Sequence, residues 1–163
     1  MTLTSPTPND LTHLRRAIAL AAEALAAGDA PFGSVLVDAS GAARAEDRNR
    51  TATLNDATRH PEFELARWAA AHLDPEERAA ATVYTSGEHC PMCAAAHAWV
   101  GLGRIVYVAS ASALAGWLGQ WGVAGSGVAS LPAQTVAPGV VVEGPVPELE
   151  GEIRELHRKK AGV

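Results

Sequence analysis

Cysteine is nearly absent from this sequence: two residues in 163, both inside GEHCPMC at 87–93. So small a supply excludes a disulfide framework, and two thiols this close together in mid-chain suit metal or redox chemistry better than a structural bridge. Basic residues are also in deficit, 13 Lys and Arg against 18 Asp and Glu, a formal net charge of −5. That balance argues against a surface that tracks phosphate backbones and favours a small-molecule substrate over nucleic acid. No apolar run approaches the length that spans a bilayer, and MTLTSPTPNDLTHLRR has no basic region followed by an apolar stretch. The expectation is a cytoplasmic protein without a membrane partner. Repeats and linkers are missing too, so residues 1–163 read as a single domain, and 48% hydrophobic content suffices to cover both faces of a sheet.

What is present falls into alternating elements. Leu14, Ile18, Ala21, Ala22 and Leu25 recur at helical spacing, with Asn9 or Asp10 as cap and Gly28 at the end. FGSVLVD, SG and AARAEDRN read as a β-hairpin. A second helix starts near His60-Pro61 and runs to about His72, and DPEERAA reads as a turn. ATVYTS is a strand, PMCAAAHAWVGLG a helix opened by Pro91, and RIVYVAS another strand. The stretch 110–145 is less legible, with VVVEG a last strand, and PELEGEIRELHRKK is an amphipathic terminal helix with acids early and bases late. Strand, helix, strand at this spacing implies a parallel pair, hence an α/β fold: a three-layer α/β/α sandwich around a mixed five-stranded sheet.

Cys90 and Cys93 sit at i and i+3 across the first turn of a helix, so both sulfurs face one way in the positive field of the helix start. Zinc and a thiol-disulfide pair both fit that placement. His60-Pro61-Glu62, at another predicted helix start thirty positions upstream, tips the balance. One imidazole and two thiolates leave the fourth tetrahedral position of zinc for water, and Glu62 is placed to take and return a proton. A closed structural site completed by His97, one turn beyond Cys93, is the non-enzyme alternative, but it gives Glu62 no task.

H-x-E followed by C-x-x-C, here with PFGSVLVD (31–38), Asn49, YTSGEHCPMC and Trp99, resembles the zinc-dependent cytidine deaminase superfamily, and within it the bacterial guanine deaminases and related nucleobase deaminases. The resemblance runs from about residue 10 to 108. It implies a Zn2+ cofactor on His60, Cys90 and Cys93, and proton transfer by Glu62. It also implies base binding by Asn49, stacking by Trp99 and a pocket wall at Phe32. The implied reaction is hydrolytic replacement of an amino group by oxygen, with release of ammonia, on a guanine-type purine, a pyrimidine or an s-triazine. Nucleoside and tRNA adenosine deaminases share the signature and stand as alternatives. The resemblance further implies a homodimer in which the helix over 148–160 is exchanged between subunits.

Three positions depart from the family pattern. His89 replaces the usual proline before the first cysteine and reads as a loop or pocket-rim residue whose loss tunes substrate preference. Pro61 stands where relatives carry alanine, which removes a backbone N–H that a substrate acceptor would use. From Ile105 to Val142 there is no aspartate or glutamate, so the family's assisting carboxylate has Glu88 and Glu143 as its candidate replacements. Trp117 and Trp121 read as lid or subunit-interface residues, and His13, His72 and His157 as surface histidines.

Overall fold

The computed structural model describes residues 5–163. The chain begins with helix α1 (Pro8–Ala26), then the hairpin β1 (Gly33–Val37) and β2 (Ala43–Arg48). There follow α2 (Pro61–His72), a short α3 (Pro75–Ala80), β3 (Thr82–Gly87), α4 (Pro91–Trp99) and β4 (Arg104–Ala109). The C-terminal part holds α5 (Ala111–Gln120), α6 (Ala133–Val136), β5 (Val142–Glu143) and α7 (Pro147–Ala161). The five strands form one sheet in the order β2-β1-β3-β4-β5, antiparallel across β2-β1-β3 and parallel across β3-β4-β5.

Strand residues alternate between the two faces, as a period of two requires. On one face Val35, Val37, Tyr84, Val106 and Val108 pack with Leu14, Ile18, Trp117, Leu149 and Ile153 of α1, α5 and α7. On the other, Leu36 and Val83 pack with Leu65, Ala66, Ala69 and Ala96 of α2 and α4. Ile105, Tyr107 and Val142 meet Ala94, Ala133 and Ala137 in a further cluster beside α6. The expected three layers and mixed sheet are therefore present. Gly33 is where α1 crosses the sheet, since a Cβ there would lie 2.3 Å from the Ala17 carbonyl oxygen.

Several boundaries correct the sequence reading. The cap of α1 is Thr7, not Asn9 or Asp10: its hydroxyl accepts from the Asp10 N–H and the Asp10 carboxylate accepts from the Thr7 N–H, a reciprocal capping box with Pro8 in the first turn. DPEERAA is not a turn but α3, because Asp74 and Glu77 build the same box. The opaque stretch after Ser110 opens with α5, capped by the Ser110 hydroxyl on the Ala113 N–H. Trp117 is neither lid nor interface: it is buried in the core, with the Arg154 guanidinium 5.9 Å from its ring and equally from that of Trp121, which ties α5 to α7. Helix α7 packs on its own chain against α1, β4 and α5. No helix among the described residues is long and apolar enough to cross a membrane.

Candidate active site

The carboxyl ends of β3 and β4, the start of β1 and the end of β2 all lie at one edge of the sheet, because β1 runs antiparallel to both β2 and β3. In α/β sheets this edge is where ligands bind. Helices α2 and α4 begin here, each with proline in its first turn and with His60 and Cys90 as the respective N-caps. An N-cap side chain ordinarily accepts a hydrogen bond from its own helix. Neither His60 nor Cys90 does, so both are left for a ligand between two positive helix ends.

His60 Nδ1 lies 3.5 Å from Cys90 Sγ and 3.6 Å from Cys93 Sγ, and the two sulfurs are 3.5 Å apart. Ligands at ordinary zinc distances and tetrahedral angles stand roughly 3.5–3.8 Å from one another, so this triangle fits that ion. These three residues form the metal-ligating group found among the described residues. His97 is not a fourth member, since its Nε2 donates to the Gly103 carbonyl at 2.8 Å. Charge points the same way. The contact with Cys93, then the one with His60, pulls the Cys90 thiol down to about 4, while the same Cys90 contact and burial push the Cys93 thiol up. Two sulfurs this close disfavour a second thiolate, and a bound dication favours both. The contact with Cys90 and the nearby Glu62 charge raise His60.

Glu62 is buried in the second position of α2. Its Oε1 accepts from Ser34 Oγ and from Thr85 Oγ1, both at 2.8 Å, and its Oε2 stands 3.8 Å from Cys93 Sγ. Burial raises its pKa, and the two hydroxyls counter that only in part. One carboxylate oxygen is thus pinned while the other faces the His60–Cys90–Cys93 triangle. Ser34 and Thr85 were not singled out from sequence. Their signal is polarity at fully buried strand positions, one on β1 and one on β3.

A cavity of about 560 Å³ opens above this floor, with Phe32, Asn49, Pro61 and Glu88 among its walls. Asn49 is buried and its Oδ1 accepts from the Thr51 N–H and hydroxyl, at 3.0 and 2.9 Å. Its amide nitrogen has no partner among the described residues. The Asn49 N–H donates to the Phe32 carbonyl, which holds these two wall residues together. His157 of α7 also lines the cavity, its ring 5.0 Å from that of Phe32. It is buried, not a surface residue, and burial holds it down at about 4. The spacing of Leu149, Ile153 and His157 along one stripe of α7 is the sequence signal that places it inward.

Four expected site residues lie otherwise. Trp99 is 87% exposed and does not line the cavity. Six residues beyond Cys93 put it about 240° round the helix, on a face turned from the sulfurs. His89 is a buried loop residue outside the cavity lining, 5.2 Å from the His97 ring, with neither ring nitrogen hydrogen-bonded among the described residues. Glu143 pairs with Arg104, beside Val106 rather than at the site edge. Glu88 reaches the cavity wall, but both of its oxygens are engaged, by the Ala111 N–H at 2.9 Å and the Ala133 N–H at 2.8 Å. It fastens the starts of α5 and α6 and is not positioned as a free proton carrier.

Residues 7–109 match the family described as the cytidine and deoxycytidylate deaminase zinc-binding region. The chain belongs to that family, and zinc is the metal its site residues fit. It is 40% identical over 102 residues to guanine deaminase of Bacillus subtilis, a match covering 62% of this chain and 65% of that protein, so just under two thirds of the relative is spanned. Its fold is similar to that of a guanine deaminase from Nitrosomonas europaea, with a TM-score of 0.73 at 19% identity over 100% of this chain and 88% of the other. A structure from work on tRNA:A34 deaminases is similar with a TM-score of 0.63 at 27% identity, covering 90% of this chain and 99% of the other.

Proposed function

We propose that the protein is a zinc-dependent hydrolytic deaminase that converts an amino-substituted nucleobase or related ring to its oxo form with release of ammonia. The observation that carries this reading is Glu62: a buried carboxylate with one oxygen fixed by Ser34 and Thr85 and the other turned toward a His60–Cys90–Cys93 metal triangle. Zinc bound to those three residues supplies a Lewis acid that makes water nucleophilic near neutral pH.

The remaining work falls to the chain. Glu62 Oε2 takes one proton from the attacking water and delivers it to a ring nitrogen, then takes the second from the new hydroxyl and delivers it to the departing amine. Water's oxygen bonds to the ring carbon, the C–N bond breaks and ammonia leaves, so atoms balance without a further reactant. The raised pKa of Glu62 suits a group that must hold a proton between these steps. The Asn49 amide and the Phe32 ring orient the base. Pro61 lines the cavity without an N–H, so the preferred ring offers no acceptor at that point. Neither Glu88 nor Glu143 is free to assist, which leaves Glu62 as the one proton carrier in this reading.

The tRNA deaminase alternative is weaker, because the chain carries a net charge of −5 and the cavity wall includes no lysine or arginine. Assembly as a cytoplasmic homodimer belongs to the same reading. In that dimer the α7 helix, which here contacts α1 and β4, would be the element exchanged between subunits. The test is ammonia release by the zinc-loaded protein with guanine, adenine, cytosine, isocytosine, aminated s-triazines and the matching nucleosides. Glu62→Gln is expected to lose about 10²–10⁴-fold in turnover while keeping its zinc. Full turnover by that variant would sink the proposal.

A further inference from the structure

The cavity is larger than one heterocycle needs. A closed apolar cavity of about 150 Å³ already holds a benzene ring, whereas this one measures about 560 Å³. His60, Glu62 and Asn49 stand at its floor. Above them the wall is Leu114 and Leu118 of α5 with Val123, Val128 and Leu131 of the following segment. Of the seven large apolar side chains left exposed among the described residues, Val123, Val128 and Leu131 are three, and all three face this one opening. Apolar surface gathered at a cavity mouth gains free energy only when something apolar covers it.

The groups that would read a sugar or a phosphate are missing or engaged. Among the described residues, no arginine, lysine or aspartate lines the cavity. Its serine hydroxyls are engaged locally: Ser110 accepts from the Ala113 N–H at 3.0 Å, and Ser126 and Ser130 donate to the carbonyls of Val128 and Ala111 at 3.2 and 3.4 Å. Both oxygens of Glu88 are taken by backbone N–H groups. A ribose placed here would find serine hydroxyls that already hold a local hydrogen bond and no charged side chain free to pair with it, whereas an alkyl or aryl group needs no polar partner.

We propose that the substrate is an aminated azaheterocycle carrying an apolar substituent of several carbons. The ring lies on the Glu62–Asn49 floor, and the substituent lies between α5 and residues 121–132, with Phe32 and His157 as its inner wall. The ring's fate rests on the deaminase reading above, whereas the substituent's place is read by binding alone.

The experiment uses the zinc-loaded full chain carrying Glu62→Ala, so that ligands bind without turnover. Titration calorimetry compares isocytosine with its 6-methyl, 6-propyl and 6-phenyl derivatives, and guanine with 9-methylguanine, 9-propylguanine and guanosine. In at least one of the two series, affinity is expected to rise about fourfold per methylene buried, and 9-propylguanine is expected to bind more tightly than guanosine. Leu118→Asn and Val128→Asn, each added to that background, flatten the rise. Equal affinity of bare and alkylated rings in both series, tighter binding of guanosine, no binding of any compound, or a rise that survives both asparagine variants would each overturn the proposal. Ammonia release by the unsubstituted protein on the same compounds separates the two readings. A rising series without ammonia removes the deaminase reading and leaves the apolar-arm pocket, and ammonia from bare rings with a flat series does the reverse.

Discussion

Asp29 is the residue whose loss is expected to disable the site from furthest away. It is fully buried between α1 and β1, and its carboxylate accepts four hydrogen bonds: from Arg48 at 2.9 Å, from the Ala52 and Thr53 N–H groups at 2.9 and 2.8 Å, and from the Thr53 hydroxyl at 3.0 Å. These bonds hold the start of the 49–59 loop, which carries Asn49 into the cavity and leads into His60. Asp29→Ala would leave Arg48, only 17% exposed in its side chain, without its carboxylate, and two backbone donors without acceptors. Breaking one partner of such a buried pair costs about 3–5 kcal/mol. For a chain of this size that is roughly 6–20 °C in melting temperature. Thermal unfolding of the zinc-loaded variant measures the stability loss, and steady-state ammonia release measures the site. The expected pattern is a KM raised more than kcat is lowered, because Asn49 binds the ring while Glu62 is held separately by Ser34 and Thr85. Asp29 sits below its ordinary pKa because these hydrogen bonds outweigh its burial. Its stabilisation is therefore complete above about pH 4 and is lost as the pH falls further. A melting temperature within 2 °C of the parent, or a kcat loss with KM unchanged, would refute the reasoning.

Three other outcomes are expected. Thr85→Val removes one of the two hydroxyls on Glu62 Oε1 and should lower kcat about tenfold or more at unchanged zinc content, since a hydrogen bond to a charged group contributes about 1.5–3 kcal/mol; metal analysis with single-turnover kinetics checks both parts. Cys93→Ser should lose most of the bound zinc and with it the ligand's contribution to stability, read as a fall in melting temperature that added zinc does not restore, whereas a fully zinc-loaded variant would contradict the assigned triangle. His157→Phe isolates a pH effect: burial holds the imidazole at about 4 against an ordinary 6.5, so the unfolded chain takes up that proton first and stability falls between those values. The parent should lose on the order of 3 kcal/mol more than His157→Phe between pH 6.5 and 4, measured by urea unfolding, and equal losses would show that His157 titrates normally.

The parts legible from sequence are those written locally in the chain. Proline in the first turn after His60 and after Cys90 marks two helix starts, and i, i+3 spacing puts Cys90 and Cys93 on one side of a turn. Those two facts mark His60, Cys90 and Cys93 as candidate ligands; that α2 and α4 start side by side is a tertiary fact. The hairpin, the parallel crossover through α4 and the terminal helix follow from periods of two and 3.6 in the same way. Even the misplaced cap of α1 was local information misread, since Thr-Pro-Asn-Asp spells the capping box that Thr7 and Asp10 form.

What the sequence did not decide is which groups share a space with residues far away in the chain. Trp99, Glu143 and His89 were plausible for their chemistry, yet one faces solvent, one meets Arg104 and one is sealed against His97. Ser34 and Thr85 acquire their role only because β1 and β3 pair in a register that sets them opposite each other beside Glu62. The apolar upper cavity exists because α5 and α7 pack together and bring Leu118 and His157 to the lining of one space. Spacing along a helix or strand fixes direction and is carried by the chain itself, so sequence alone determined the candidate ligands and the order of helices and strands. Burial and pairing between elements depend on the summed packing of the whole core, and only the tertiary structure decided them.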